Sequence, residues 1–265
     1  RFVKIQEVDV VHTHLLNDNW LAALALTGIG RDLLLVRTFH RWERPRRDPL
    51  HQWLFRRRND LSIVTSKSLL ALFDGRISLE PGSVQVVYGG VDSEEFTPRT
   101  SGESIRREFD LAADTPLAGY VSRLNPGRGH DWLLAAAPDI RRRLPGARIL
   151  IAGKGPLKKP LRHRVGTTDL RDNVIMIGYR SKDLRETYAA FDVALFLGIG
   201  NEGTCRAALE AMATGRPIVG PRATALPEIV EHEKTGLLVD PGDSAALAEA
   251  IVRLLSDRDE RERMG

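Results

Sequence analysis

The sequence predicts an α/β protein of two doubly wound parallel-sheet domains, the first of them incomplete. Three observations point there. Short apolar runs alternate with amphipathic stretches almost throughout, which is the pattern of a parallel sheet covered by helices. A polar stretch with Pro98, Gly102 and many charges interrupts that pattern between Glu94 and Thr115, as a linker at a domain boundary would. Six strand-like runs follow the break, enough for a full doubly wound unit, whereas only four precede it and the chain opens abruptly on the first. The domains are accordingly drawn at 1–100 and 101–265.

Taken in order, the strands of the first half are VDVVH (Val8 to His12), LLLVRTF (Leu33 to Phe39), SIVT (Ser62 to Thr65) and VQVVY (Val84 to Tyr88). Amphipathic segments at Trp20 to Leu26 and Ser66 to Phe73 supply helices between them. The second half reads LAGYVS (Leu117 to Ser122), ARILIA (Ala147 to Ala152), NVIMIG (Asn173 to Gly178), DVALFL (Asp192 to Leu197), RPIVG (Arg216 to Gly220) and GLLV (Gly236 to Val239). Helical patterns fill the gaps at Asp131 to Leu144, Leu184 to Ala190, Ala207 to Ala213 and Ser244 to Leu255. No repeat or low-complexity tract is evident.

Hydrophobic residues make up 42% of the chain and charged residues 28%, which excludes a disordered or fibrous class. No apolar run approaches the roughly 18–20 residues of a membrane span. The opening RFVKIQEVDVV has neither the apolar core nor the cleavage site of a secretory signal. Cys205 is the single cysteine, so no internal disulfide forms, which fits a reducing, cytoplasmic setting. A net charge of +4 suits phosphate-bearing ligands or an anionic membrane and does not imply nucleic acid. The excess is uneven: Arg41, Arg44, Arg46, Arg47, Arg56, Arg57 and Arg58 interleave with Trp42, Trp53 and Phe55. The stretch 41–58 reads either as a solvated helix face with anchoring aromatics, or as a peripheral contact with lipid phosphates on the inner membrane face.

Ligands of open parallel sheets sit where strand carboxyl ends run into helix N-termini. Three such loops carry phosphate-binding chemistry. In SRLNPGRGHDW, Arg123 and Arg128 converge at a strand end, suited to bidentate grip of a diphosphate, while Gly127 and Gly129 allow close backbone approach. In AGKGPLKKP, Gly153, Lys154 and Gly155 offer a glycine pair that could wrap a ligand. In LGIGNEGTCRAALEAMATG, backbone N–H groups at Gly203, Thr204 and Cys205 would open a helix and point at an anion. Glu202 stands at its mouth and Glu210 eight residues on, about 12 Å along a helix. One carboxylate there could read a sugar and the other a ribose, with a diphosphate between.

These stretches, with VIMIGY and LPEIVEHEKTGLLVDPGD, fall in order across residues 117–243; VVHTH, VRTFH and YGGVD extend the match into the first half. Together they resemble the GT-B-fold retaining glycosyltransferases of family 4. The resemblance implies two Rossmann-like domains facing a cleft and transfer of a sugar from a nucleotide-diphosphate sugar to a glycan, lipid or small-molecule acceptor, as in cell envelope polysaccharide biosynthesis. By it, Arg123 and Arg128 hold the diphosphate, Glu202 contacts the transferred sugar and Glu210 the ribose. The backbone at Gly178 and Tyr179 frames the base, and His40, ending VRTFH, acts on the sugar and leaving group. No metal and no further cofactor is implied, since the arginines replace a cation.

The sequence departs from that family in places. Thr204 and Cys205 follow Glu202-Gly203 where the family is usually more open, which leaves the sugar unassigned. Cys205, at a helix N-terminus, is read as a packing or pocket residue. The glycine-rich opening loop and the closing helices of the family are missing, so the chain resembles a fragment, and a donor-binding module or scaffold without turnover is an alternative. So is a GT-B epimerase or phosphorylase. Two further rivals come from the residues alone. Gly198 to Gly203 formally matches a dinucleotide fingerprint, with Arg222 rather than an acid at the next strand end. His12 and His14, on one strand face, could join Asp18 as metal ligands.

Overall fold

The computed structural model describes residues 8–28, 33–42, 44–77, 80–199 and 205–265. They fall into two compact units, one ending at Gly89 and one comprising Gly90–Ile199 with Cys205–Gly265. In the first unit, β1 (Val10–Thr13), β2 (Leu34–Phe39), β3 (Leu61–Val64) and β4 (Val84–Val86) lie side by side in sequence order, all parallel. The helices are α1 (Leu16–Ala25), α2 (Pro49–Trp53), which runs on as a π-helical turn over Leu54–Arg58, and α3 (Lys67–Ala71). Local chemistry fixes where they begin. Asp48 accepts a bond from His51 N at 3.0 Å and is followed by Pro49, whose missing N–H costs nothing at a helix start. Ser66 accepts from Leu69 N at 3.0 Å in the same way.

The wide π turn lets adjacent residues serve two clusters on one face of the sheet, since Leu35, Phe39 and Val64 stand on the same side in the β2–β3 register. Leu54 packs with Ala23, Leu26 and Leu35, while Phe55 packs with Val64, Leu69 and Phe73. Between them a polar knot is buried: the Asn19 amide donates to Asn59 Oδ1 at 2.9 Å, and Arg37 Nη1 donates to Asn19 Oδ1 at 3.3 Å. Arg37 also lies over the Phe39 ring, 4.2 Å from its centroid.

The second unit is a six-stranded parallel sheet: β5 (Leu117–Val121), β6 (Arg148–Ala152), β7 (Val174–Gly178), β8 (Val193–Leu195), β9 (Ile218–Pro221) and β10 (Gly236–Val239), in the order β10-β9-β8-β5-β6-β7. Its helices are α4 (Glu103–Glu108), α5 (His130–Arg143), α6 (Lys158–Thr167), α7 (Leu184–Ala190), α8 (Arg206–Ala213), α9 (Ser244–Ser256) and α10 (Arg258–Met264). β5 and β8 are neighbours although they are not consecutive, so the winding reverses between them. That is the point where open sheets of this kind leave a crevice at their carboxyl edge.

One expectation is corrected. Residues 94–115 are not a linker but part of the second unit, whose boundary lies at Gly89–Gly90. Phe96 and Ile105 are buried with Leu117, Tyr188 and Phe191. Gly102 sits so close to the backbone that a Cβ there would lie 2.2 Å from Ala190 Cα. The charges that make this stretch look like a linker sit on the outer side of α4, and Arg106 reaches inward to Asp192 at 3.0 Å.

Candidate functional site

At the winding reversal, the loop after β5 and the loop after β8 are packed against each other. A Cβ at Gly129 would lie 2.5 Å from Leu197 O, and Gly129 has φ 75°, so both contact and backbone require glycine. Ile199 N donates to Gly127 O at 3.4 Å. Arg128 Nη1 lies 3.5 Å from where a Cβ at Gly198 would stand, so the guanidinium rests on the second loop. Arg123 is exposed and Arg128 half-buried, both on the loop closed by Gly129. The Tyr120 hydroxyl donates to Arg128 O from beneath; burial pushes that phenol up to about 12, so it remains a donor at physiological pH.

The loop after β6 joins the same edge. A Cβ at Gly153 would lie 1.9 Å from Ser122 O, and one at Gly155 2.4 Å from Leu124 O, so two alanines would drive the loops apart. Gly153 N donates to Gly178 O at 2.7 Å, which seats the end of β7 beside it. Tyr179 is 57% exposed, with the Lys154 ammonium 3.9 Å from its ring centroid. Arg123, Arg128, Gly153, Gly178 and Tyr179 therefore share one edge of one unit.

Glu202, Gly203 and Thr204 lie outside the described residues. The start of α8 nevertheless differs from expectation. Helical geometry begins at Arg206, with Cys205 as its N-cap at φ 46° and accepting bonds from Ala208 N and Leu209 N. Cys205 is fully buried in an apolar cluster with Ala208, Ala211 and Leu226. Glu210 is buried too. Its Oε2 accepts the Tyr188 hydroxyl at 2.9 Å and its Oε1 accepts Arg206 Nε at 2.7 Å, leaving each oxygen a second lone pair. Burial, then the Glu210 charge, drives Tyr188 well above the usual phenol range. Arg206 stands four residues before Glu210, a helical pairing legible in the sequence. Tyr188 comes from another helix and carries no such signal.

His130, unmarked in the sequence, opens α5 beneath the arginine loop. It is 2% exposed, and its Nε2 lies 3.1 Å from Arg123 O and 3.4 Å from Ser122 Oγ. Burial holds its pKa below 6.5, so the folded protein keeps it neutral. As pH falls below 6.5 the unfolded chain takes up a proton that the folded one refuses. The stability this group contributes is therefore present above 6.5 and lost as pH falls towards the lowered folded value. The urea midpoint is expected to fall more steeply between pH 7 and 5 in the wild type than in His130→Gln; equal slopes would remove this role.

In the first unit, histidines gather at the carboxyl ends of β1 and β2. His14 Nδ1 and His40 Nε2 share a hydrogen bond at 2.9 Å, with the rings stacked at 5.1 Å, and His12 Nε2 bonds Thr38 Oγ1 at 2.7 Å. Burial, then the neighbouring His14, lowers the pKa of His12. The metal trio of His12, His14 and Asp18 is not assembled: no cluster able to hold a metal occurs among the described residues, and both histidines bond elsewhere. Within 41–58, Phe55 is core and Arg58 donates to Ala23 O at 2.7 Å, while Leu50 and Trp53 are 67% and 38% exposed.

Comparison with known proteins adds the family. A model described as Glycosyl transferases group 1 matches residues 101–265, and one described as Glycosyltransferase Family 4 matches residues 1–95. The chain belongs to the group 1 glycosyltransferases. It is 34% identical, over 69% of its length and 49% of the relative's, to the GDP-mannose-dependent alpha-(1-6)-phosphatidylinositol monomannoside mannosyltransferase of Mycobacterium tuberculosis (strain ATCC 25618 / H37Rv). With the D-inositol 3-phosphate glycosyltransferase of Corynebacterium efficiens it shares 29% identity over 98% of this chain and 66% of that one. The chain spans about half the length of the mycobacterial relative. Among solved structures, Anabaena HepE in complex with UDP and glucose superposes with a TM-score of 0.82 at 22% identity, covering 98% of this chain and 72% of that one. A glycosyltransferase from Rickettsia africae gives 0.87 at 19%, covering 99% and 71%. The fold of this glycosyltransferase is thus GT-B. The dehydrogenase reading of Gly198 to Gly203 gives way to it, and Arg222 donates to Leu238 O at 3.0 Å instead of awaiting a ribose phosphate.

Proposed function

We propose that the protein moves a sugar from a nucleotide-diphosphate-sugar donor to an acceptor, with retention of configuration and with arginines in place of a metal ion. The observation that carries this reading is the meeting of the Arg123–Gly129 loop with the loop after β8 at the winding reversal of the second sheet. Arg123 and Arg128 neutralise the departing diphosphate, where preorganised charge counts most. Glu202 takes the transferred sugar, Glu210 the ribose, and Gly178 with Tyr179 the base, while His40 acts on the sugar from the first domain. The mycobacterial relative, named as GDP-mannose-dependent, and the Anabaena neighbour holding UDP and glucose support a donor of this class. The exposed Leu50 and Trp53 beside Arg56 and Arg57 support a cytoplasmic protein resting on the inner membrane face.

Calorimetry against UDP, GDP and ADP tests the donor site, and sugar release from the matching nucleotide-sugar tests turnover. One nucleotide is expected to bind. Binding without release or transfer would leave a donor module; no binding at all would end the proposal. In Glu210→Ala, nucleotide affinity is expected to fall about tenfold, while stability drops by about 1–3 kcal/mol because the Tyr188 hydroxyl loses its acceptor. Tyr188→Phe separates the two effects, since it keeps the carboxylate. Unchanged affinity in Glu210→Ala would withdraw the ribose role.

A further inference from the structure

A cavity of about 380 Å³ opens at the amino edge of the second sheet. Pro116, Asp192 and Arg216 line it just before β5, β8 and β9, and Arg258, Arg261 and Glu262 close it from α10. These strands run parallel, so this edge faces away from the arginine loop after β5, and the five residues of β5 put about 16 Å between the two.

Arg216 is the group without a counterpart. Its Nε is buried with no hydrogen-bond partner, and its guanidinium makes no hydrogen bond or ion pair among the described residues. Burial holds its pKa below the usual arginine value; Asp192 opposes that shift, and Arg106 and Arg261 add to it. Arginine still keeps its proton, so what this group lacks is an acceptor. Leaving a buried donor unpaired is costly, more so when it carries charge.

The carboxylates at hand are committed elsewhere. Asp192 Oδ2 accepts Arg106 Nη2 at 3.0 Å and Leu117 N at 2.8 Å, and its Oδ1 faces Arg261 at 3.8 Å. Glu262 Oε1 accepts Arg258 Nε at 2.7 Å. Asp114 also lines the cavity, but it is exposed and forms no ion pair among the described residues. Arg258 and Arg261 stand three residues apart on α10, hence on one face of it, while Arg216 comes from the sheet. Donors on two sides of a space suit an anion whose oxygens point in several directions. A planar carboxylate cannot serve both sides, whereas a tetrahedral oxyanion can.

We propose that this cavity binds a tetrahedral oxyanion of the phosphate class, held by Arg216 with Arg258 and Arg261, and that the bound ion fastens α10 to the start of β9. The site is separate from the donor crevice and does not depend on the donor reading. The full chain is titrated calorimetrically with inorganic phosphate in a chloride background of equal ionic strength, and its thermal unfolding is followed with and without phosphate. The same is done for Arg216→Met, for Asp114→Asn and for the donor-loop variant Arg123→Ala with Arg128→Ala. Arg216→Met is expected to weaken phosphate binding by about tenfold or more. Without phosphate it should unfold no lower than the wild type, because methionine removes an uncompensated buried charge. Asp114→Asn alters an exposed rim residue and should tighten binding by about two- to fivefold as repulsion is relieved. The donor-loop variant should keep the binding that Arg216 governs. The general stabilising action of phosphate on folded proteins is common to all four and cancels in the comparison. The proposal falls if phosphate does not bind, if Arg216→Met binds it as the wild type does, or if the donor-loop variant abolishes binding, which would place the ion in the donor crevice. Should Arg216→Met unfold below the wild type without phosphate, Asp114→Asn decides alone, and unchanged affinity in that variant would overturn the site.

Discussion

Replacing Arg106 with methionine is expected to destabilise the second unit by about 1–3 kcal/mol, the cost of losing charge-assisted hydrogen bonds in a half-buried ion pair. The side chain is 13% exposed and Asp192 is 19% exposed, so water screens the pair little. Nη2 donates to Asp192 Oδ2 at 3.0 Å and Nε to Ala190 O at 3.0 Å. Nη1 donates to Ala112 O, Ala113 O and Thr115 O at 3.2, 3.1 and 2.8 Å. One guanidinium thus ties α4 to the end of α7 and to the turn that feeds β5, and Asp192 Oδ2 also accepts Leu117 N at 2.8 Å. Methionine fills the aliphatic volume but leaves Ala190 O and Thr115 O without this donor and the half-buried Asp192 carboxylate with Leu117 N as its remaining hydrogen bond. Arg261, 3.8 Å from Asp192 Oδ1, offsets only part of that. Arg106→Lys is expected to recover less than half, because an ammonium cannot hold carbonyls spread around a planar fork. Urea unfolding checks this at constant m-value; a loss below about 1 kcal/mol in the methionine variant would mean that the network is ornamental to the fold.

This clamp also shows where sequence reasoning stops. The ten strands are legible because each is a short apolar run between turn residues, and burial on both sheet faces demands such runs. The stretch containing Arg106 is misread because its apolar residues are few and set among charges: Phe96 and Ile105 are buried, and Phe109 and Leu111 pack at the edge of the same cluster. The same holds for α6, where Leu161 and Val165 alone are buried. In the candidate site, the arginine and glycine loops are visible because phosphate chemistry needs those residue types next to strand ends. Their arrangement is not: Tyr188 reaches Glu210 across 22 positions, and His14 meets His40 across 26 because β1 and β2 run in parallel register. Cys205, read from the sequence as a packing or pocket residue, is buried in the apolar cluster, and His130, which carries no mark in the sequence, is buried and neutral beneath Arg123.

Removing both guanidinium groups of the donor loop, in Arg123→Ala with Arg128→Ala, is expected to lower kcat/KM for the matching nucleotide-sugar by about 10²–10³-fold. The loss should fall more on kcat than on KM. In the bound donor the diphosphate charge is partly shared with the sugar; as the glycosidic bond breaks, that charge concentrates on the departing oxygens, and the arginines gain most there. Folding should be little affected. Arg123 is exposed, and the bond that Arg128 O accepts from the Tyr120 hydroxyl survives truncation, so only the guanidinium's side-chain contacts, such as that at Gly198, are lost. The pair Arg123→Lys with Arg128→Lys keeps both charges but not the bidentate geometry, so it should lie between wild type and the alanine variant. If the lysine variant matched the wild type, charge alone would explain the site. If the alanine variant kept full kcat/KM, the diphosphate would have to be neutralised elsewhere, and the winding reversal of the second sheet would lose its part in the chemistry.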